Sequence, residues 1–222
     1  PEGNAHYIDG QISQKGMEEA WEITAAIREA VGPSIELLID AHGKYNVPTA
    51  IDLCRGLEAS NIFWFEEMIT HDVDGYRAMR EMQAKYGSKA LLTCGEVDRN
   101  PISEVFQDMI DDGLIDGYQP DVVSHGFLGW MEIELQLAGT GVRSIPHNFG
   151  NGSFGTFASI VFGAASETHV SLEDERILPH FLTGQPDFIN GAYTLPTGPG
   201  LGVDIDEAGF APHAKHEFRV EA

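Results

Sequence analysis

Cysteine is scarce in this chain: Cys54 and Cys94 are the two present among 222 residues, with no CxxC pair. That usage indicates neither a disulfide framework nor a cysteine-based zinc cluster, and a reducing cytoplasm is the expected location. Basic residues are also few. Thirteen Lys and Arg stand against 35 Asp and Glu, a formal charge of -22, which repels nucleic acid and anionic membrane surfaces rather than recruiting them. Long apolar runs are missing as well, since no window approaches the ~20 apolar residues of a membrane span. The first stretch, PEGNAHYIDGQISQ, has neither the basic start nor the apolar run of a signal peptide. The acidity is read as a solvated surface and names no substrate.

What the chain does have is enough apolar material, 42% hydrophobic with 9% aromatic, to build one barrel-sized domain or two small ones. Its pattern alternates short apolar runs with amphipathic stretches. GMEEAWEITAAIREAVG reads as a helix with Met17, Ala20, Trp21, Ile27 and Val31 on one face, stopped by Gly32. IELLID reads as a buried strand. The following VPTAIDLCRGLEAS reads as a helix with Pro48 in its first turn and a stripe of Ala50, Leu53, Cys54 and Leu57. The same strand-then-helix unit recurs at IFWFE, ALLTCGE, LIDGYQPD and VRSIPH, with Asn100 and Pro101 expected as cap and first residue of one helix. A last run, THVSLE, precedes a Gly/Pro-rich tail of loop and edge structure.

The polar residues ending these six runs are Asp40, Glu66, Glu96, Asp121, His147 and Glu173. They recur at roughly 25 to 30 residues, the length of one unit of a (β/α) barrel, in which the C-terminal ends of the strands share one mouth. The expected fold class is therefore α/β, a barrel of TIM type carrying strands three to eight. Eight strands close such a barrel, so the first two are expected upstream of Pro1. Residues 1–15 are expected to be a loop remnant, 16–175 the catalytic barrel portion, and 176–222 a C-terminal segment.

Three carboxylates converging at one mouth repel one another, and burying even one without a partner costs several kcal/mol. Asp40, Glu66 and Glu96 therefore call for a cation. Ligation by oxygen alone favours Mg²⁺, with Mn²⁺ as the second choice. The plainer reading of each acid is a surface residue near a helix N-terminus; the shared phase of all three argues against it.

The fragments LLIDAHGKYNVPTAIDL, IFWFEEM, LLTCGE, YQPD, SIPHNFG and GPGLGV, across residues 16–206, resemble the enolase superfamily in its mandelate racemase/muconate lactonizing enzyme-like branch. The resemblance implies a modified barrel with an N-terminal α+β capping domain, towards which residues 176–222 would return. It implies Mg²⁺ ligation by an Asp after the third strand, the first Glu of W-x-E-E-P and the Glu of G-E, which fall on Asp40, Glu66 and Glu96. Met68 stands where that motif has proline. It also implies a His-Asp dyad at His147 and Asp121, in which the carboxylate fixes the imidazole tautomer and raises its basicity. A Lys-based proton acceptor after strand six, used by another branch, is absent.

Asp40-x-His42-Gly43 resembles the sugar-acid dehydratases, where His42 would protonate the departing 3-hydroxyl. Glu173, Glu67 and Asn148 are the expected substrate-binding residues, Glu67 also being a candidate to support the ligands from behind. His71, His125, His169 and His180 are assigned to structure or surface. GPGLG lacks the Lys and helix of a phosphate loop and reads as a turn. The expected activity is an Mg²⁺-dependent hydro-lyase converting an aldonate or aldarate to a 2-keto-3-deoxy acid. The rivals are a racemase or epimerase of a 2-hydroxy acid, and a non-catalytic metal-binding barrel. The expected partners are a small-molecule carboxylate substrate and further copies of the chain in a homo-oligomer, with neither nucleic acid nor membrane.

Overall fold

The structure is a computed structural model that describes residues 7–99, 102–175 and 179–214. A two-strand hairpin, β1 (Tyr7–Ile8) and β2 (Gln11–Ile12), occupies part of the segment expected to be loop. Then come α1 (Gln14–Val31), β3 (Leu37–Asp40), α2 (Val47–Leu57), β4 (Ile62–Glu66), α3 (Val73–Tyr86) and β5 (Leu91–Cys94). They are followed by α4 (Glu104–Asp111), β6 (Gly117–Tyr118), α5 (Val122–Leu137), β7 (Arg143–Ser144) and α6 (Gly152–Ala165). Beyond these, β8 (Leu182–Thr183) pairs with β11 (Asp204–Ile205), β9 (Phe188–Ile189) pairs with β10 (Ala192–Tyr193), and α7 (Glu207–Phe210) runs into a 3-10 turn, Ala211–His213, that ends the described tail.

Local chemistry sets the helix starts. The side chains of Ser13, Asn46 and Asp72 accept from backbone N–H groups of Gly16, Thr49 and Gly75, each satisfying a donor with no partner inside the helix. Ser103 occupies the N-cap position of α4 without a side-chain bond to the helix, its hydroxyl donating to Asp98 instead; Asn100 and Pro101, expected in that role, lie outside the described residues. The expected face of α1 is divided: Met17 is buried and Ala20 and Trp21 pack on the core, whereas Ile27 and Val31 are 45% and 38% exposed. At 3.6 residues per turn Ile27 lies close to Ala20 and Val31 to Met17 around the helix, so the face is shared but covered at the N-terminal end of α1 and not at its C-terminal end.

Strands β3, β4, β5, β6 and β7 pair in sequence order, all parallel, each joined to the next by a helix as parallel pairing demands. The last two are shorter than their apolar runs. Pro120 and Pro146 carry no N–H, so the ladder breaks ahead of them and resumes as a single bridge between Asp121 and His147. The sixth run joins by one bridge, Ser144 to His169, with backbone bonds of 3.3–3.4 Å. Among the described residues the sheet is open, a portion of a (β/α) barrel.

Alternate strand residues face opposite ways. Phe65 and Leu92 join Leu53, Met79, Met109, Ile133 and Phe162 in the main buried cluster, while Leu38, Asp40, Trp64 and Glu66 line the inner face. Met68, which replaces the motif proline, is also buried in that cluster. Among the described residues no helix is long and apolar enough to cross a membrane.

Glu134 of α5, buried, holds the last two runs together at the end remote from the mouth. Its carboxylate accepts from the Ser144, Ser166 and Thr168 hydroxyls at 2.7–2.8 Å and from the Glu167 and Thr168 N–H groups at 2.9 Å. Burial pushes its pKa up, but the bonds from Thr168, Ser144 and Ser166 outweigh this and hold it below the ordinary value. Glu134→Ala should cost about 3 kcal/mol and Glu134→Gln, which keeps one acceptor, about 1 kcal/mol, by urea unfolding. Because the folded-state pKa is depressed, the stabilisation is present above the ordinary carboxylate pKa and is lost as pH falls through the folded value. The Gln variant should therefore show a flatter acid limb than the native chain.

Candidate active site

Asp40 and Glu66 end β3 and β4 in register, Glu96 lies just beyond β5, and the Asp121–His147 bridge continues β6 and β7. A cavity of ≈ 280 Å³ is lined by Asp40, His42, Glu66, Glu96, His147, Phe149 and Glu173. A second, of ≈ 220 Å³, shares Asp40, Glu66, His147 and Glu173 and adds Leu38, Trp64, Gln119 and Ile145 of the barrel interior. The strand ends thus bring together five of the six periodic residues at one cavity, with Asp121 directly behind His147.

Like charges dominate this mouth. Burial, followed by the proximity of Asp40 and Glu173, pushes Glu66 up to about 7, against the opposing hydrogen bonds of Gln119 and of the Trp64 indole, 3.0 Å from Oε2. Burial and Glu67 likewise raise Glu96, while His147 and His42 oppose them. Such crowding fits a divalent cation, and Asp40, Glu66 and Glu96 offer hard oxygen ligands to the cavity. Among the described residues a different group brings its ligand atoms together: His42, Glu67 and Glu96 fall within 4.8 Å of one another. Glu96 contacts two imidazoles, His42 Nδ1 through Oε1 and His147 Nε2 at 3.0 Å through Oε2.

Glu67 is a poorer ligand than its distance suggests. It is 2% exposed, and its Oε1 already accepts from Gly95 N–H at 3.0 Å and Glu96 N–H at 3.2 Å and pairs with His71 Nε2 at 2.8 Å. Burial would raise its pKa, but the bond from His71 and those from Gly95 and Glu96 leave it lowered. Glu67, expected against substrate, therefore faces protein groups. So does Asn148, fully buried, whose amide donates to Thr156 Oγ1 at 2.7 Å and whose backbone N–H donates to Glu173 Oε2 at 2.8 Å. Glu173 keeps the expected place on the cavity, 3.6 Å from His147 Nε2.

His147 Nδ1 donates to Asp121 Oδ1 at 2.8 Å, which leaves Nε2 to the cavity. Burial works against the charged imidazole, yet the Asp121 bond, with Glu173 and Glu96 nearby, pushes His147 up to about 9. Asp121 is held low, because bonds from His147 and from Asn151 Nδ2, at 2.6 Å, outweigh its burial. His42 adopts φ 49, uncommon for a residue with a Cβ, and is steadied by its N–H donating to Asp40 Oδ1 at 2.8 Å. Its ring lines the cavity and is 58% exposed.

Sequence reasoning missed Trp64, Gln119 and Asn151. Trp64 was the most legible, since a residue two before Glu66 on a strand shares its face.

The sequence model of the family described as Enolase C-terminal domain-like matches residues 7–209, and the chain belongs to that family. It is 31% identical over 220 residues to a D-galactarolactone cycloisomerase of Agrobacterium fabrum (strain C58 / ATCC 33970), covering 92% of this chain and 54% of that protein. To a D-gluconate dehydratase of Thermoproteus tenax it is 28% identical, covering 88% of this chain and 39% of that one. A mandelate racemase/muconate lactonizing enzyme-like protein from Rubrobacter xylanophilus DSM 9941 superposes with TM-score 0.79 at 27% identity, over 95% of this chain and 54% of that one. An enolase from Pantoea ananatis, solved with bound D-gluconate and Mg, superposes with TM-score 0.77 at 24% identity, over 96% and 51% of the two chains, and shows the fold alone. The chain spans about half the length, or less, of these proteins.

Gly95 sets the direction of Glu96. At φ +126 an added Cβ would lie 2.9 Å from the Tyr118 ring and 3.0 Å from Gln119 N, so Gly95→Ala should cost about 2 kcal/mol or more in urea unfolding. A cost within about 0.5 kcal/mol, typical of neutral surface changes, would show the turn to be permissive.

Proposed function

We propose, from membership in this family and from the mouth it presents, that the chain is part of the barrel of an Mg²⁺-dependent hydro-lyase acting on a sugar acid. The observation that carries the reading is His147: its Nδ1 is engaged by Asp121, and its Nε2 faces a cavity shared with Asp40, Glu66 and Glu96. Those three carboxylates would hold the ion, which when bound stabilises negative charge developing on the substrate carboxylate. In this reading residues 16–175 carry the chemistry and the segment after them turns back towards a capping region of the whole protein.

Once Glu96 is engaged by the ion and no longer pairs with Nε2, neutral His147, kept in one tautomer by Asp121, would take the proton from carbon two through Nε2. The electron pair of that C–H bond moves into the carboxylate system and returns to expel the 3-hydroxyl. His42 gives its proton to that hydroxyl, so one water departs. The remaining enol loses its O–H proton at carbon two, takes one at carbon three and becomes the 2-keto-3-deoxy acid. Each positioned proton transfer contributes roughly 10² to 10⁴ in rate. Glu173, fixed by Asn148 beside His147, would contact the substrate; Glu67 and Asn148 serve from behind.

The cycloisomerase relative favours a second reading with the same first step. There the substrate is a sugar-acid lactone and the group leaving carbon three is the ring oxygen, so the product is an isomer and no water is lost. Mass spectrometry of product from a panel of aldonates, aldarates and their lactones separates the two, through loss of water in one and an unchanged mass in the other.

His42→Asn should lower dehydration by about 10² or more while carbon two still exchanges its proton for deuterium in D₂O. Loss of both activities would remove His42 from the acid role, and absence of Mg²⁺ binding by the native chain would contradict the proposed function itself.

A further inference from the structure

We infer that His71, acting through Glu67, is a positioning residue that aims Glu96 at the metal; this rests on the ligand set proposed above. His71 lies in the loop between β4 and α3, and among the described residues it lines neither cavity at the mouth. Its ring packs on Phe106 of α4 at 4.7 Å between centroids, and its Nε2 meets Glu67 Oε1 at 2.8 Å.

That oxygen is where the turn before Glu96 is fastened. Gly95 and Glu96 present successive backbone N–H groups to it at 3.0 and 3.2 Å, and Gly95 has the backbone conformation and close packing that exclude a side chain. The backbone of Glu67 is fastened as well: its N–H donates to Thr93 O at 3.0 Å, and its carbonyl accepts from Gly43 N–H at 2.6 Å. One residue, at φ 41, therefore touches the loops that carry all three proposed ligands, with Glu66 as its neighbour, Gly43 next to the Asp40–His42 turn, and Gly95–Glu96 through its carboxylate.

A carboxylate buried to this degree is stable as an anion only if its donors are complete. Two are backbone groups that belong to the turn itself, and they cannot both fasten the turn and brace the carboxylate against it. His71 supplies the independent third donor, from an element anchored on α4. Without it the Glu67 carboxylate can swing, and the Gly95–Glu96 turn loses its fixed partner. Partners behind metal ligands typically affect affinity 10- to 100-fold.

The test is calorimetric titration of the 222-residue chain with Mg²⁺, alongside thermal melts, for the native protein, His71→Leu and His71→Gln. Leu removes the donor; Gln restores an N–H and loses most of the ring contact. The expected result is a Kd weakened about 10-fold or more in His71→Leu and within roughly 3-fold of native in His71→Gln. Equal affinity in native and Leu proteins overturns the inference while leaving the metal site intact. Equal weakening in Leu and Gln also overturns it, assigning the effect to packing on Phe106. No Mg²⁺ binding by the native chain overturns the ligand set and this inference with it.

Discussion

Parallel strands that finish along one edge bring their last side chains together whatever the charge on them, and the rest of this site is organised around that constraint. Asp40, Glu66, Glu96 and Glu173 share a cavity with His147, and Asp121 stands directly behind it. Water would screen such a group on an open surface; here burial raises both Glu66 and Glu96. Each charge is met in its own way. Trp64 and Gln119 bond Glu66, His42 and His147 contact Glu96, the Asn148 N–H meets Glu173, and Asn151 joins His147 on Asp121. Imidazoles and neutral donors thus hold part of a charge that a divalent ion is suited to gather.

Two carboxylates outside the cavity make this geometry durable. Glu67 fastens the mouth by joining the turns that follow β3 and β5 to the end of β4. Glu134 fastens the opposite end, joining Ser144 to the 166–168 turn, so that His147 and Glu173, farther along the same runs, emerge side by side. Both are buried acids whose pKa is lowered because hydrogen bonds exceed the burial penalty. They contribute through donors gathered from segments distant in sequence, so removing either anion strands several polar groups at once.

The strand ends were legible because a barrel repeats: one polar residue closing each apolar run, at near-constant spacing, is enough to place Asp40, Glu66, Glu96, Asp121, His147 and Glu173 at one edge. What the period could not convey was side-chain direction off the strands. Glu67 and Asn148 immediately follow Glu66 and His147, yet turn into the protein, Glu67 because its backbone takes φ 41 and Asn148 because its N–H groups donate to Thr156 and Glu173. Strand lengths beyond Tyr118 and Ser144 were overestimated because apolar patterning does not register the missing N–H of Pro120 and Pro146. The exposure of Ile27 and Val31 was likewise hidden, since periodicity shows which residues share a face but not how far along the helix that face is covered.

In the proposed function Asp40, Glu66 and Glu96, rather than the closer group of His42, Glu67 and Glu96, hold one divalent ion beside His147. Anomalous diffraction from crystals grown with Mn²⁺ in place of Mg²⁺ tests it most directly. The expected result is one strong peak bonded to a carboxylate oxygen from each of Asp40, Glu66 and Glu96, with Glu67 still bound to Gly95, Glu96 and His71. A peak ligated by His42 and Glu67, or none at this mouth, would contradict it.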